Sequence, residues 1–299
     1  MTNISVSKAK TFDTCKLQYK YKYVSRFKRE IPKQVDVTTK GLVMHQCFED
    51  LVKYENYENG VAGTCKRKAD EAIVLKVFRD AVNQYHLSTE AAVNYRLGLG
   101  LKRWLSFKEY LDKRGHILYA EKEYEKVIYG NTTTKCILDL LEDLGDGKFV
   151  IYDYKTPNKA NASNHSKQLA VYAYMMAIEK GFIEPGSTDY KTVADHFDCY
   201  IFFPLCEGDH EDYSKSLKQL NLSEEVIRKA MEWLQTVDDT ASSFDFNQPA
   251  VMMFPSTTNN LCDWCDFQGA GPQPEIGFEG CPLTCFAGHN AGTKYIKQN

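Results

Sequence analysis

No apolar run in the sequence approaches the roughly 20 residues that a bilayer-spanning helix needs. The longest are short, such as Tyr200–Leu205, so no membrane partner is expected. The first seven residues, Met1 to Ser7, lack a charged start followed by an apolar stretch. No secretory signal is therefore expected, and the location read from the sequence is intracellular, cytoplasmic. There is no internal repeat and no low-complexity linker. There is no Gly-x-x-x-x-Gly-Lys-Ser/Thr loop either, which excludes a built-in P-loop motor. Charge of neither sign dominates: 37 Lys+Arg against 40 Asp+Glu gives −3, so only local patches can point to a partner.

What is present is the composition of a folded chain. Hydrophobic residues make up 43% of the 299 and aromatics 13%, far more than a disordered tail carries. Ten cysteines stand out. In a reducing compartment a disulfide framework is not expected. Cys47, Cys136, Cys199 and Cys206 lie inside apolar runs and read as small buried hydrophobes. Cys15, Cys262, Cys265, Cys281 and Cys285 lie elsewhere.

Periodicity orders the chain. Residues 5–30 read as a helix with nine Lys/Arg from Lys8 to Lys33, interleaved with Tyr19, Tyr21, Tyr23 and Phe27. Such a face either neutralises phosphates and stacks bases or is a solvated helix whose aromatics turn to the core. Thr38–Tyr54 reads as a second helix capped by Thr38 or Thr39, with Met44, Cys47, Phe48 and Leu51 at helical spacing. Residues 66–113 read as further helices. His116–Tyr129, Thr133–Leu144 and Lys148–Thr156 read as strands joined by the turns Gly130-Asn131 and Gly145-Asp146-Gly147. A helix over Ser166–Lys180, a strand over Val193–Phe203 and a helix over Leu222–Ser242 follow. The fold class is α/β (α+β): a small mixed sheet flanked by helices. Three stretches result: a helical region 1–115, a core 116–245 and a Cys-rich tail 246–299 packed on the N-terminal region.

The chemistry lies on the middle hairpin. Counting back from the loop centred on Asp146, Asp139 faces Asp153 across an antiparallel pair, within one residue. Directly opposed carboxylates repel. Set among Ile, Leu, Val and Tyr, they call for a compensating hard cation, Mg²⁺ or Mn²⁺. Lys155, two residues after Asp153, leaves the same face of the strand. It could orient or deprotonate a water, or stabilise charge on a phosphate. An ordinary surface ion pair is the alternative for the Asp-x-Lys triplet.

Gly41-Leu-Val-Met-His45, Ile137-Leu138-Asp139, Ile151-Tyr152-Asp153-Tyr154-Lys155-Thr156 and Gln168-Leu169-x-x-Tyr172, in this order, resemble the PD-(D/E)XK nuclease superfamily, in particular its RecB-like branch. The opening Ser5-x-Ser7 with Phe12-x-x-Cys15 and Tyr19 is similar to the start of that branch. The resemblance spans about residues 5–285 and implies a restriction-endonuclease-like core. It implies His45, Asp139, Asp153 and the carbonyl of Tyr154 as metal ligands, Lys155 as a catalytic group, and Gln168 and Tyr172 as DNA-positioning residues. Cys136 departs from the family's frequent Gly before the strand Asp. Glu49, one turn after His45, and Glu121 are possible accessory acids; solvated charge is the plainer reading of both.

Leu261-Cys262-Asp-Trp-Cys265 resembles the C-terminal cysteine element of the iron–sulfur members of this branch, the AddB and CRISPR-adaptation exonuclease type. There one early cysteine joins three late ones around a [4Fe–4S] cluster. Cys15, Cys262, Cys265 and Cys281 match it, although Cys281 follows a Gly- and Pro-rich insertion. The alternative is a structural Zn²⁺ on Cys262, Cys265, Cys281 and Cys285. The expected function is a metal-dependent DNA nuclease, an exonuclease acting on single-stranded DNA or DNA ends. A helicase or recombination partner would supply unwinding. The alternative is a catalytically silent nucleic-acid-binding subunit of a recombination or repair complex on the same fold.

Overall fold

A computed structural model describes residues 2–31, 36–58, 61–62, 67–88, 91–157, 159, 161–245, 248–259, 261–282, 290 and 292–298. The chain forms two compact units, one within residues 35–231 and the other from residues 2–34 with 232–299.

The first unit carries helices α1 (Asp36–Asn56), α2 (Glu71–Gln84), α3 (Ala91–Asp112), α4 (Ser166–Glu179) and α5 (Tyr190–His196). Its main sheet is built from β1 (His116–Tyr129), β2 (Thr132–Gly145), β3 (Lys148–Tyr154), β4 (Phe197–Phe202) and β5 (Leu217–Leu220), and Tyr57–Glu58 pairs separately with Val61–Ala62. They pair in the order β1-β2-β3-β4-β5, antiparallel except for β3 with β4. Parallel strands need a crossover, and α4 and α5 supply it. The mixed α/β architecture expected from the sequence is the one found, consistent with a restriction-endonuclease-like core.

Alternation along β3 sets the two faces of the sheet. Val150, Tyr152 and Tyr154 join one large core with Phe48, Trp104, Phe107 and Phe202. Phe48 stacks on Trp104 at 4.5 Å and Phe107 on Phe202 at 4.8 Å. Offset aromatic pairs of this kind add about 0.5–1.5 kcal/mol each beyond area burial. Phe149, Ile151 and Asp153 leave the opposite face. Because helices cover both faces, β3 is buried from Phe149 to Tyr154 without a polar-out stripe. Cys47, Cys136, Cys199 and Cys206 are all buried in this unit, as their apolar settings suggested.

Several local expectations need correction. α1 starts at Asp36, ahead of Thr38 and Thr39, so neither caps it. Val193–His196 is helical, not strand, because Asp189 caps α5 by accepting the Thr192 N–H at 3.1 Å. β5 has no counterpart among the expected strands. Arg103, fully buried, donates to the carbonyls of Pro204, Cys206, Gly208 and His210 and so fixes the loop between β4 and β5.

Glu142 of β2 is fully buried, with one carboxylate oxygen held by the Tyr152 hydroxyl at 2.8 Å and near Arg114. Burial raises its pKa, and Tyr152 and Arg114 pull the other way without cancelling it. A raised folded-state pKa stabilises the fold below the ordinary glutamate value of about 4.3, and that stabilisation is lost as pH rises through the folded value. The melting temperature of Glu142→Gln, relative to wild type, should therefore move in the variant's favour between acid and mildly alkaline pH. Calorimetric scans of both proteins across that range check it; parallel pH profiles would contradict it.

In the second unit residues 5–30 are not one helix. The chain runs through Val6–Thr14, breaks at extended Cys15, resumes over Lys16–Tyr19 and widens to a π-turn over Lys20–Val24. It then enters a strand, Phe27–Arg29, that pairs antiparallel with Tyr295–Lys297. Tyr19, Tyr21 and Phe27 are buried. Tyr21 packs at 4.7 Å against Phe278, and its hydroxyl donates to the Gly280 carbonyl at 2.7 Å. Lys20 is itself buried, its ammonium 5.4 Å from the Phe254 ring. Tyr19, Tyr21 and Phe27 thus belong to the core and offer no stacking platform for bases, while Tyr23 is half-buried.

Candidate metal centre

The β2–β3 register follows the count made from the loop. Asp143↔Phe149, Glu142↔Val150, Leu141↔Ile151 and Leu140↔Tyr152 pair in step, after one irregularity at Gly145. The ladder stops at Leu140↔Tyr152, so Asp139 and Asp153 stand opposite one another at the first step where β2 and β3 no longer pair. Asp139 Oδ2 instead accepts the Tyr154 N–H at 2.5 Å, a bond between strands made by a side chain. Both carboxylates are buried, Asp139 at 8% and Asp153 at 3% exposure. Cys136, where Gly was the pattern, sits in regular β2 opposite Tyr124.

His45 reaches the same place from α1. Its Nδ1 is 2.8 Å from Glu121 Oε1 and 3.6 Å from Asp139 Oδ1, and its Nε2 is 3.2 Å from the Tyr154 carbonyl oxygen. His45, Glu121 and Asp139 each offer a ligand atom within 4.8 Å of the others. Glu121 is the residue that sequence reasoning undervalued. It faces Asp139 from β1, where the ladder passes from Ala120↔Leu140 to Lys122↔Leu138, and its φ is +49°. A left-handed glutamate costs on the order of 1–3 kcal/mol and persists only where the surroundings enforce it. Here it turns the carboxylate towards His45. Nothing in residues 116–129 signals such a backbone. Glu49, the other accessory candidate, pairs with Lys53 and lines a 540 Å³ groove together with His45 and Glu121.

On the α4 side, Lys155 Nζ stands 2.5 Å from Asp153 Oδ2 as an ion pair. Oδ2 is buried, and this ammonium is the charge that faces it. Gln168 donates to Asp153 Oδ1 and to the Tyr172 hydroxyl, both at 3.1 Å. Gln168 and Tyr172, one helical turn apart, therefore bear on the same carboxylate. Burial, and next the Asp153 charge, push the Tyr172 hydroxyl well above its ordinary range.

The electrostatics are those of a crowded anionic site. Burial raises the Asp139 pKa; His45 opposes it, while Asp153 and Glu121 add to it. Burial also works against the His45 imidazolium, but Asp139 and then Glu121 outweigh it and hold its pKa at about 9. Three carboxylates, an imidazole and a backbone carbonyl form the donor set that a hard divalent cation takes.

The second unit holds the cysteine candidates. Cys15 caps the Lys16–Tyr19 turn, its Sγ 3.5 Å from the Gln18 nitrogen. Cys262 Sγ is 3.4 Å from the Asn259 nitrogen, and the Asn259 side chain donates to the Thr14 carbonyl at 3.1 Å, next to Cys15. Burial pushes the Cys265 thiol up to about 11; two backbone N–H groups oppose this, and the thiols of Cys15 and Cys281 add to it. Cys15, Cys265 and Cys281 thus share one electrostatic neighbourhood, with Cys262 on the segment tied to Thr14. Cys285 lies outside the described residues.

The family model of the PD-(D/E)XK nuclease superfamily matches residues 3–270. No curated protein matches the chain.

Proposed function

The chain belongs to the PD-(D/E)XK nuclease superfamily, and on that premise we propose that it is a Mg²⁺- or Mn²⁺-dependent deoxyribonuclease of the RecB-like branch, an exonuclease acting on single-stranded DNA or DNA ends. The observation that carries the reading is the convergence of His45, Glu121 and Asp139 beside buried Asp153, itself paired with Lys155. His45, Asp139, Asp153 and the Tyr154 carbonyl would hold the cation, and Glu121 extends that set. A divalent cation there supplies Lewis-acid polarisation of a phosphodiester oxygen and a water made acidic enough to attack. Lys155 places a positive charge where a phosphate oxygen gains negative charge. Gln168 and Tyr172 orient Asp153 and, through it, the strand to be cut. End-labelled single- and double-stranded DNA incubated with Mg²⁺, Mn²⁺ or EDTA tests the proposal. Metal-dependent shortening from the ends supports it. DNA binding without cleavage under any divalent ion would favour the silent binding subunit.

The finer cofactor proposal is a [4Fe–4S] cluster on Cys15, Cys262, Cys265 and Cys281. Its support is that Cys15 shares the surroundings of Cys265 and Cys281 although it is remote from them in sequence. When bound, the cluster would tie residues early and late in the chain together and supply stability by closing a long loop. Protein purified without oxygen should be brown and contain iron and sulfide, and Cys15→Ala should lose the colour and melt lower. A colourless protein with one zinc, indifferent to Cys15→Ala, would instead support zinc on Cys262, Cys265, Cys281 and Cys285.

A further inference from the structure

We infer that the two-stranded ribbon of residues 26–30 and 294–298 is a phosphate-tracking surface that holds a single nucleic-acid strand, on residues other than those assigned to cleavage. The inference rests on the nuclease reading for the identity of its ligand, and on the geometry of the second unit for the rest.

The ribbon joins segments about 265 residues apart in sequence. Phe27↔Lys297, Lys28↔Ile296 and Arg29↔Tyr295 pair, and the ladder extends through Gln298 N–H to the Arg26 carbonyl and Glu30 N–H to the Lys294 carbonyl. One face is anchored: Phe27 and Tyr295 are buried with Tyr21, Phe267 and Phe278. The outward face is then rigid. It carries Lys28 and Lys294, with Arg26 just before the first strand; Lys297, opposite Phe27, leaves the anchored face at the ribbon's end, and all four are exposed. None of the four has an ion-pair partner among the described residues, whereas many other surface cations are paired, several one helical turn from an acid. Glu30 is the sole acid in these ten residues against five cations, in a chain of net charge −3.

Lys297 is close enough to add to the burial that lowers the Lys20 pKa, against the opposing effect of Glu279. Diagonal neighbours on one face of an antiparallel pair stand about 7–8 Å apart, which suits Lys28 and Lys294, diagonal across the Lys28↔Ile296 pair, to successive phosphates of an extended single strand. Ile296 and Ile31, 39% and 80% exposed, lie among the cations, and Arg29, Ile31 and Lys294 line a 400 Å³ groove at the ribbon's end. Exposed apolar side chains between spaced cations offer contact to bases and sugars while the cations follow the backbone, the arrangement of a sequence-tolerant single-strand site.

The test uses the full chain, a fluorescent oligothymidylate of about 20 nucleotides and EDTA, so that cleavage does not enter. Affinity is read by anisotropy as salt is raised. The triple variant Lys28→Gln, Lys294→Gln, Lys297→Gln should bind more weakly, with a slope of log K against log salt shallower by about 2, since each lost contact to a single strand removes about 0.7. The corresponding triple Lys→Arg variant should keep the wild-type slope. Both should melt as wild type does, because the substituted side chains are exposed. Unchanged affinity and slope in the glutamine variant, equal loss in the arginine variant, or no binding by wild type would each overturn the inference. A wild type that binds in EDTA yet cuts under no divalent ion would sink the nuclease reading and leave the ribbon standing. A wild type that cuts, with full binding by the glutamine variant, would do the reverse.

Discussion

Asp139→Asn should lose metal-dependent cleavage by at least about a thousandfold, the scale on which removal of a group central to the chemistry reads, while its apo fold stays as stable as wild type or becomes slightly more so. The two halves of this expectation come from the same crowding. Asp139 is buried beside Asp153 and Glu121, and those like charges make its ionised form costly. Asparagine keeps an oxygen where Oδ2 accepts the Tyr154 N–H, so the link between β2 and β3 survives. What disappears is one of three carboxylates gathered for a cation. Wild-type protein should melt higher when Mn²⁺ is added, because a ligand held only by the folded state stabilises it. The variant should not. Assays on end-labelled single-stranded DNA and paired melting curves check both halves. Full cleavage by the variant would remove Asp139 from the site.

Lys155→Ala should be as inactive as Asp139→Asn for a different reason. Its ammonium sits 2.5 Å from Asp153 Oδ2 and is the cation that serves this buried oxygen in the apo protein. Alanine leaves the carboxylates, His45 and the Tyr154 carbonyl in place. Mn²⁺ should bind the variant at least as tightly as wild type, now without a competing ammonium, while cleavage is lost. Loss of activity together with loss of metal binding would instead mean that Lys155 holds Asp153 in position and does no more. Full activity in the variant would remove Lys155 from the chemistry.

The part of the site legible in the sequence is the part governed by short-range regularity. The strand period of two and a three-residue loop suffice to oppose Asp139 and Asp153 and to put Lys155 on Asp153's face. Helical spacing does the same for Gln168 and Tyr172. His45 depended on the resemblance, since a lone histidine on an apolar helix looks like a core residue, and its partners Glu121 and Tyr154 are 76 and 109 residues away. Glu121 reads in the sequence as no more than an accessory candidate, because its role depends on a left-handed backbone that no local pattern announces. The basic stretch of residues 8–33 was legible as charge but not as structure. Its cations are divided by the break at Cys15 and the π-turn at Lys20, burying Lys20 while leaving Arg26 and Lys28 on a ribbon whose other strand comes from residues 294–298. Such distant pairing leaves no trace in periodicity. β5, four residues long, is too short to have one.

The central claim is that His45, Asp139 and Asp153, with Glu121, make one divalent-cation site. Titrating Mn²⁺ into wild type and Asp139→Asn, with free Mn²⁺ followed by electron paramagnetic resonance, tests it most directly. Saturable binding by wild type that Asp139→Asn abolishes is the predicted result; equal uptake by the two proteins, or none by wild type, would contradict it.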